Sequence, residues 1–172
     1  MKTLLIGYGN PGRRDDGLGA ALADAIEARH IDGVTTDADY QLNIEYAADI
    51  QSADKVIFAD ASQSAEEPFE FKQVNPADEV TFTTHSVSPE SVLAVCIDMF
   101  GRAPEAHVLA IRGYSFEMQE GLTEQAGRNL TQAVEFLSGY LIESGGRPDP
   151  SPTVSNRASR SQAQMDPSFP AH

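Results

Sequence analysis

The sequence predicts an α/β protein, a three-layer sandwich in which helices flank a twisted, mostly parallel central sheet. Three observations carry this. Short continuous apolar runs at 2–7 and 54–60 end in Gly or Asp, and 105–112 reads the same way, as strands covered on both faces do. Helical spacing separates them: Leu18, Ala21, Leu22, Ala25 and Ile26 form one stripe, and Leu130, Ala133, Val134, Leu137 and Leu141 another. The two patterns also alternate along the chain, which is the order that builds a parallel sheet with helices on its faces.

Taken in order, the first run enters a glycine-rich turn, "GYGNPGRRDDGLG" at 7–19, and the first helix follows its two aspartates. A weaker strand is expected at 33–37, a short helix at 43–52, the strong strand at 54–60 and another weak one at 68–74. Ser88 is placed to cap a helix that starts at Pro89 and runs through Phe100, because a serine oxygen can accept an orphan amide and proline fits the first turn. The strand at 105–112 and the long last helix complete a single domain over 1–144, large enough for one core. Residues 145–172 are rich in Gly, Pro, Ser and Arg, lack periodicity, and are expected to be a disordered tail. Arg147, Arg157 and Arg160 outnumber Asp149 and Asp166 there, so the body is slightly more acidic than the whole chain's −14.

That charge argues against nucleic acid, whose phosphates need clustered Lys and Arg. It suits a cationic or metal-bearing partner, although acidity also serves solubility alone. No apolar run is long enough to span a membrane, and the segment before Gly7 shows no secretory pattern, so a cytoplasmic protein is expected. Cys96 is the only cysteine, which excludes an internal disulfide or a Cys-rich zinc site; it is expected in the core. A monomer is the default expectation, and no organic cofactor is indicated.

Ligands of such folds gather at the carboxyl ends of the strands. Asp15 and Asp16 follow the first, Asp37 and Asp39 close the second, and Asp60 ends the strong strand in "FADAS". Each acid has a second reading. Asp15 or Asp16 could cap the helix and oppose its dipole, Asp60 could bond a neighbouring loop, and Asp37 and Asp39 suit turns. Of the histidines, His30 follows a helix and His107 lies in or beside a strand, both places with structural uses. His85 sits in the polar loop "TFTTHSVSPES" before a helix, where scaffolds place reactive groups. An imidazole and two carboxylates from separate loops could hold a divalent ion with positions left open.

Read in order, "GYGNPGRRDDGLG", "VIFADAS", "TTHSVSPESVLAV" and "VLAIRGYSFE" resemble the hydrogenase maturation endopeptidases over about residues 1–142. "DADYQLNIEYAADI" is similar to the branch serving NAD-reducing or bidirectional hydrogenases. The resemblance implies an α/β fold and an endopeptidase, here of aspartic type. Its substrate would be the precursor of a nickel–iron hydrogenase large subunit, which loses a C-terminal extension after nickel insertion. It also implies that Asp16, Asp60 and His85 are both catalytic and metal-contacting, the nickel being carried by the precursor. Asp15 would then cap the helix while Asp16 faces the cleft, with Gly7, Gly9 and Gly12 permitting the tight turning and close backbone approach that let the precursor peptide reach Asp16. A nickel-dependent assembly chaperone without peptidase activity would use the same three residues. The turn also resembles the "GLGNPG" opening of peptidyl-tRNA hydrolase. That enzyme then needs a histidine and asparagine, where this chain has Arg13-Arg14-Asp15-Asp16.

Overall fold

The structure is a computed structural model that describes residues 1–79 and 87–145. Its elements are β1 (Thr3–Tyr8), a 3-10 turn (Arg14–Gly17), α1 (Leu18–Glu27), β2 (Val34–Asp39), α2 (Tyr46–Ile50), β3 (Lys55–Ser62), β4 (Phe69–Val74), α3 (Pro89–Phe100), β5 (Glu105–Arg112) and α4 (Glu124–Ser144). These match the expected strands and helices within a few residues, except that the helix expected at 43–52 shortens to Tyr46–Ile50. The expectation for the tail falls, apart from Gly145, outside the described residues.

The five strands lie in the order β2-β1-β3-β5-β4. The first four are mutually parallel, and β4 runs antiparallel to β5. The link from β3 to β4, residues 63–68, is too short for the helical crossover that a parallel strand requires, so the chain turns back. β5 then enters between them.

Alternation along the strands divides the core in two. Leu5, Ile57, Ala59, Leu109 and Ile111 turn toward α1 and α4, where Leu18, Leu22, Ile26, Leu137 and Leu141 meet them. Ile6, Val56, Phe58 and Ala106 turn the other way, onto Tyr46 and Ile50 of α2 and Val92, Leu93 and Cys96 of α3. Each fully buried large side chain contributes about 1.5–3 kcal/mol of transfer free energy, so neither layer can detach cheaply. Cys96 is fully buried as expected, and burial pushes its thiol up.

The helix ends follow the sequence signals. Ser88 Oγ accepts from the Ser91 amide at 3.2 Å, Pro89 occupies the first turn, and Gly101 closes α3 in the left-handed region at φ 77°. Thr123 Oγ1 accepts from the Ala126 amide at 3.3 Å and caps α4. Among the described residues no helix is long and apolar enough to cross a membrane.

Candidate active site

The parallel register brings the carboxyl ends of the strands to one edge: Gly7 pairs with Ala38 on one side and Ala59 on the other, and Ala59 pairs with Leu109. The strand order reverses at β1. From it the chain passes through α1 to β2, then back through α2 to β3 on the far side, opening a crevice between the β1 and β3 ends. Asp16 enters it from the turn after β1, and Asp60 from β3.

The turn is built on close backbone approach. Gly9 has φ 135°, and a Cβ there would lie 1.9 Å from the Asp16 carbonyl oxygen. A Cβ on Gly19 would lie 2.3 Å from the Ala59 carbonyl oxygen and 2.5 Å from that of Tyr8. The tight turning and close backbone approach expected of these glycines are seen at Gly7 and Gly9. At Gly7 and Gly9 the space is taken by the chain's own backbone, which packs the start of α1 against the strand ends.

The two adjacent aspartates have separate environments. Asp15 is buried, and its carboxylate accepts from the amides of Tyr114 (2.7 Å), Ser115 (3.1 Å) and Thr123 (2.8 Å) and from the Thr123 hydroxyl (2.8 Å). Burial alone would push this carboxyl up. The hydrogen bonds from Thr123, Tyr114 and Ser115 outweigh burial and hold it below its ordinary value. The expected helix cap is corrected too, since no side chain caps the 3-10 turn or α1. Asp15 instead fastens the turn to the segment between β5 and α4. The backbone adds stitches there, from the Asp15 amide to the Ser115 carbonyl (3.0 Å) and from the Arg14 amide to that of Gln119 (2.8 Å).

Asp16 is half-buried and accepts from the Asn10 amide at 2.8 Å. Asp60 is also half-buried and accepts from the Ala61 amide at 2.8 Å. Burial pushes the Asp60 carboxyl up to about 7; the Ala61 hydrogen bond opposes the rise, and the charge of Asp16 adds to it. A carboxyl at that value can take and return a proton near neutral pH, which is what a general base or acid needs. Tyr8, at the end of β1, completes this corner. Burial first, then the charges of Asp60 and of Glu90 in the first turn of α3, push its phenol up.

The remaining candidates part from this pair. Asp39 is exposed at the end of the edge strand β2 and accepts from the Tyr40 amide, in keeping with the expected turn role. Asp37 is exposed too and accepts from the Ala38 amide, but it lies within β2, paired with Ile6, so a turn role is corrected there. His30 is exposed just past α1 at φ 48°. His107 is buried with its ring stacked on Phe71, centroids 4.8 Å apart, a structural position. His85 lies outside the described residues. Among the described residues no group of three His, Cys, Asp or Glu side chains is placed to hold a metal ion. Asp16 and Asp60 supply two oxygen donors of the kind a divalent ion accepts.

Sequence reasoning did not single out Tyr114, Ser115 and Thr123, which hold Asp15, because they lie about a hundred residues along the chain. It also passed over Tyr8, although the alternation Leu4, Ile6, Tyr8 already places that ring on one face of β1.

Paired carboxylates at the switch point of an α/β sheet, one of them near neutrality, define a site suited to hydrolysis. Solved structures carry the assignment further. The chain is similar to the hydrogenase maturating endopeptidase HybD from E. coli at 25% identity and a TM-score of 0.67, over 84% of this chain and 94% of that one. It is similar in fold to an endopeptidase from Escherichia coli (24% identity, TM-score 0.64, 84% and 94% covered). The same fold occurs in the nickel–iron hydrogenase maturation protease HycI from Thermococcus kodakarensis KOD1 (20%, TM-score 0.63, 83% and 92% covered). No protein-family profile and no curated protein matches the sequence. The protein thus has the α/β fold of the hydrogenase maturation endopeptidases, the family its motifs resemble.

Proposed function

We propose that the protein is an endopeptidase that removes the C-terminal extension of a nickel–iron hydrogenase large-subunit precursor after nickel insertion. The observation that carries this is the convergence of Asp16 and Asp60 at the carboxyl edge, in a fold shared with maturation proteases. The precursor is the partner and brings the nickel as part of the substrate. Asp16 and His85 contact the nickel-bearing segment, and Asp60 contacts it through the attacking water, whose proton it accepts. The nickel polarises groups bound to it and so favours attack near neutral pH. No serine or cysteine nucleophile is required, in keeping with the burial of Cys96. The protein works in the cytoplasm as a monomer, and its substrate belongs to the NAD-reducing or bidirectional class of hydrogenase.

The direct test is incubation with nickel-loaded and nickel-free precursor, followed by intact-mass measurement. The nickel-loaded precursor is expected to lose its extension and the nickel-free form to stay whole. An intact nickel-loaded precursor would sink the peptidase reading and leave the chaperone. Cleavage at full rate by His85→Ala would remove that histidine from the site.

A further inference from the structure

Tyr8 occupies a position that packing does not explain fully. Side chains alternate along a strand, and Leu4, Ile6 and Tyr8 of β1 share a face with Val56 and Phe58 of β3, all packed on the α2–α3 side. Asp60 continues the β3 series. Because Gly7 pairs with Ala59, Tyr8 and Asp60 are the next residues of adjacent parallel strands and stand side by side on that face. Glu90 reaches the same corner from α3, so the phenol feels carboxylate charge from two layers. The side chains packed beside it on this face from β1 and β3 are Leu4, Ile6, Val56 and Phe58, and packing against them would be served by a phenylalanine at position 8. Among the described residues no hydrogen bond engages the Tyr8 hydroxyl, although the ring is half-buried.

Two backbone amides at this corner are already engaged. The Asn10 amide is used by Asp16 and the Ala61 amide by Asp60, while ionised carboxylates only accept. Water addition to a peptide carbonyl creates negative charge on its oxygen, and beside two acids that charge requires a donor. Resting on the endopeptidase reading above, we propose that Tyr8 is a catalytic residue whose hydroxyl donates a hydrogen bond to the scissile carbonyl oxygen. The sequence of bonds balances without a further reactant. Water forms the new C–O bond and gives its proton to Asp60, while the carbonyl π pair moves onto the oxygen that Tyr8 holds. That pair then returns, the C–N bond breaks, and the departing nitrogen takes the proton back from Asp60. Tyr8 keeps its own proton throughout.

The test compares wild type with Tyr8→Phe, which keeps the ring and removes the hydroxyl, on nickel-loaded precursor, with steady-state rates, a pH profile and a thermal melt. Loss of one such donor costs about 10²–10³-fold in kcat. That loss is expected here with KM, the pH midpoint and Tm close to wild type. A Tyr8→Phe enzyme with kcat near wild type would overturn the role while leaving the endopeptidase standing. A loss expressed only in KM, or only as a shifted pH midpoint with the plateau rate restored, would also overturn it, because the tyrosine would then act through binding or through Asp60. If the wild-type protein leaves the precursor intact, the endopeptidase reading falls and this role falls with it.

Discussion

Strand β3 begins at Lys55 and carries Asp60 near its other end, and the two ends of this strand treat charge in opposite ways. Lys55 is fully buried, yet its ammonium donates to the Tyr140 hydroxyl at 2.7 Å, lies 3.5 Å from Glu105 and sits 4.7 Å from the Tyr140 ring centre. Among the described residues, Asp60 has a single amide donor, from its own neighbour, and the charge near it is another carboxylate. The amino edge of the sheet thus compensates an ionisable group, and the carboxyl edge leaves one under strain. A buried charge that is paired serves the fold, whereas one left near neutrality beside a crevice is available for chemistry.

Substitution at the strained end is expected to have the largest effect. Asp60→Asn should lower cleavage of the nickel-loaded precursor by at least about 10³-fold, or ~4 kcal/mol of barrier, as measured by intact mass over time. Activity retained would erase the contrast between the two ends.

Next in size is the anchor beside Asp16. Asp15→Ala leaves three half-buried amides without their acceptor and should destabilise the fold by about 2–4 kcal/mol in a denaturant melt. Because its folded carboxyl lies below the ordinary 3.8, the stability contributed by Asp15 is present above that value and lost as pH falls through the folded one. The wild-type advantage over Asp15→Asn should therefore shrink on acidification.

Asp60 has the opposite sign. Its folded value of about 7 exceeds 3.8, so its favourable contribution is complete below 3.8 and disappears as pH rises through 7. In the substrate-free protein, Asp60→Asn should melt with wild type near pH 4 and be more stable by about 2–4 kcal/mol at pH 8, the upper figure being the full shift and the lower one allowing for partial solvation. Equal stability at both pH values would show that the carboxyl is not strained.

The smallest effect is expected at the compensated end. Lys55→Met keeps the volume and leaves Glu105 partly solvated, so stability should change by no more than about 1 kcal/mol and cleavage should be unaffected. A large loss of cleavage there would break the separation of the two edges.

The elements of this protein follow from local signals. Buried strands read as apolar runs, α3 announces itself with Ser88-Pro89, and the α1 and α4 stripes are visible at helical spacing. The carboxyl edge as a site was legible too, with Asp15, Asp16, Asp37, Asp39 and Asp60 as the acids at it, because parallel strands align their ends whatever their side chains. The choice of Asp16 and Asp60 among them came from the motif resemblance. The division of labour within Asp15-Asp16 was not legible. Two neighbouring aspartates look alike until amides a hundred residues away claim one of them. The purpose of Gly9 and Gly19 needed the packed turn, since only there does the chain's own backbone occupy the space. The burial of Lys55 depended on α4 bringing Tyr140 to it, and the nearness of Tyr8 to Asp60 on the register of β1 against β3. Period and capping act between residues a few positions apart, so the sequence alone determined the elements and the edge. Partner choice across the sheet is a property of the assembled fold, so tertiary structure alone decided which charges are compensated and which remain free to react.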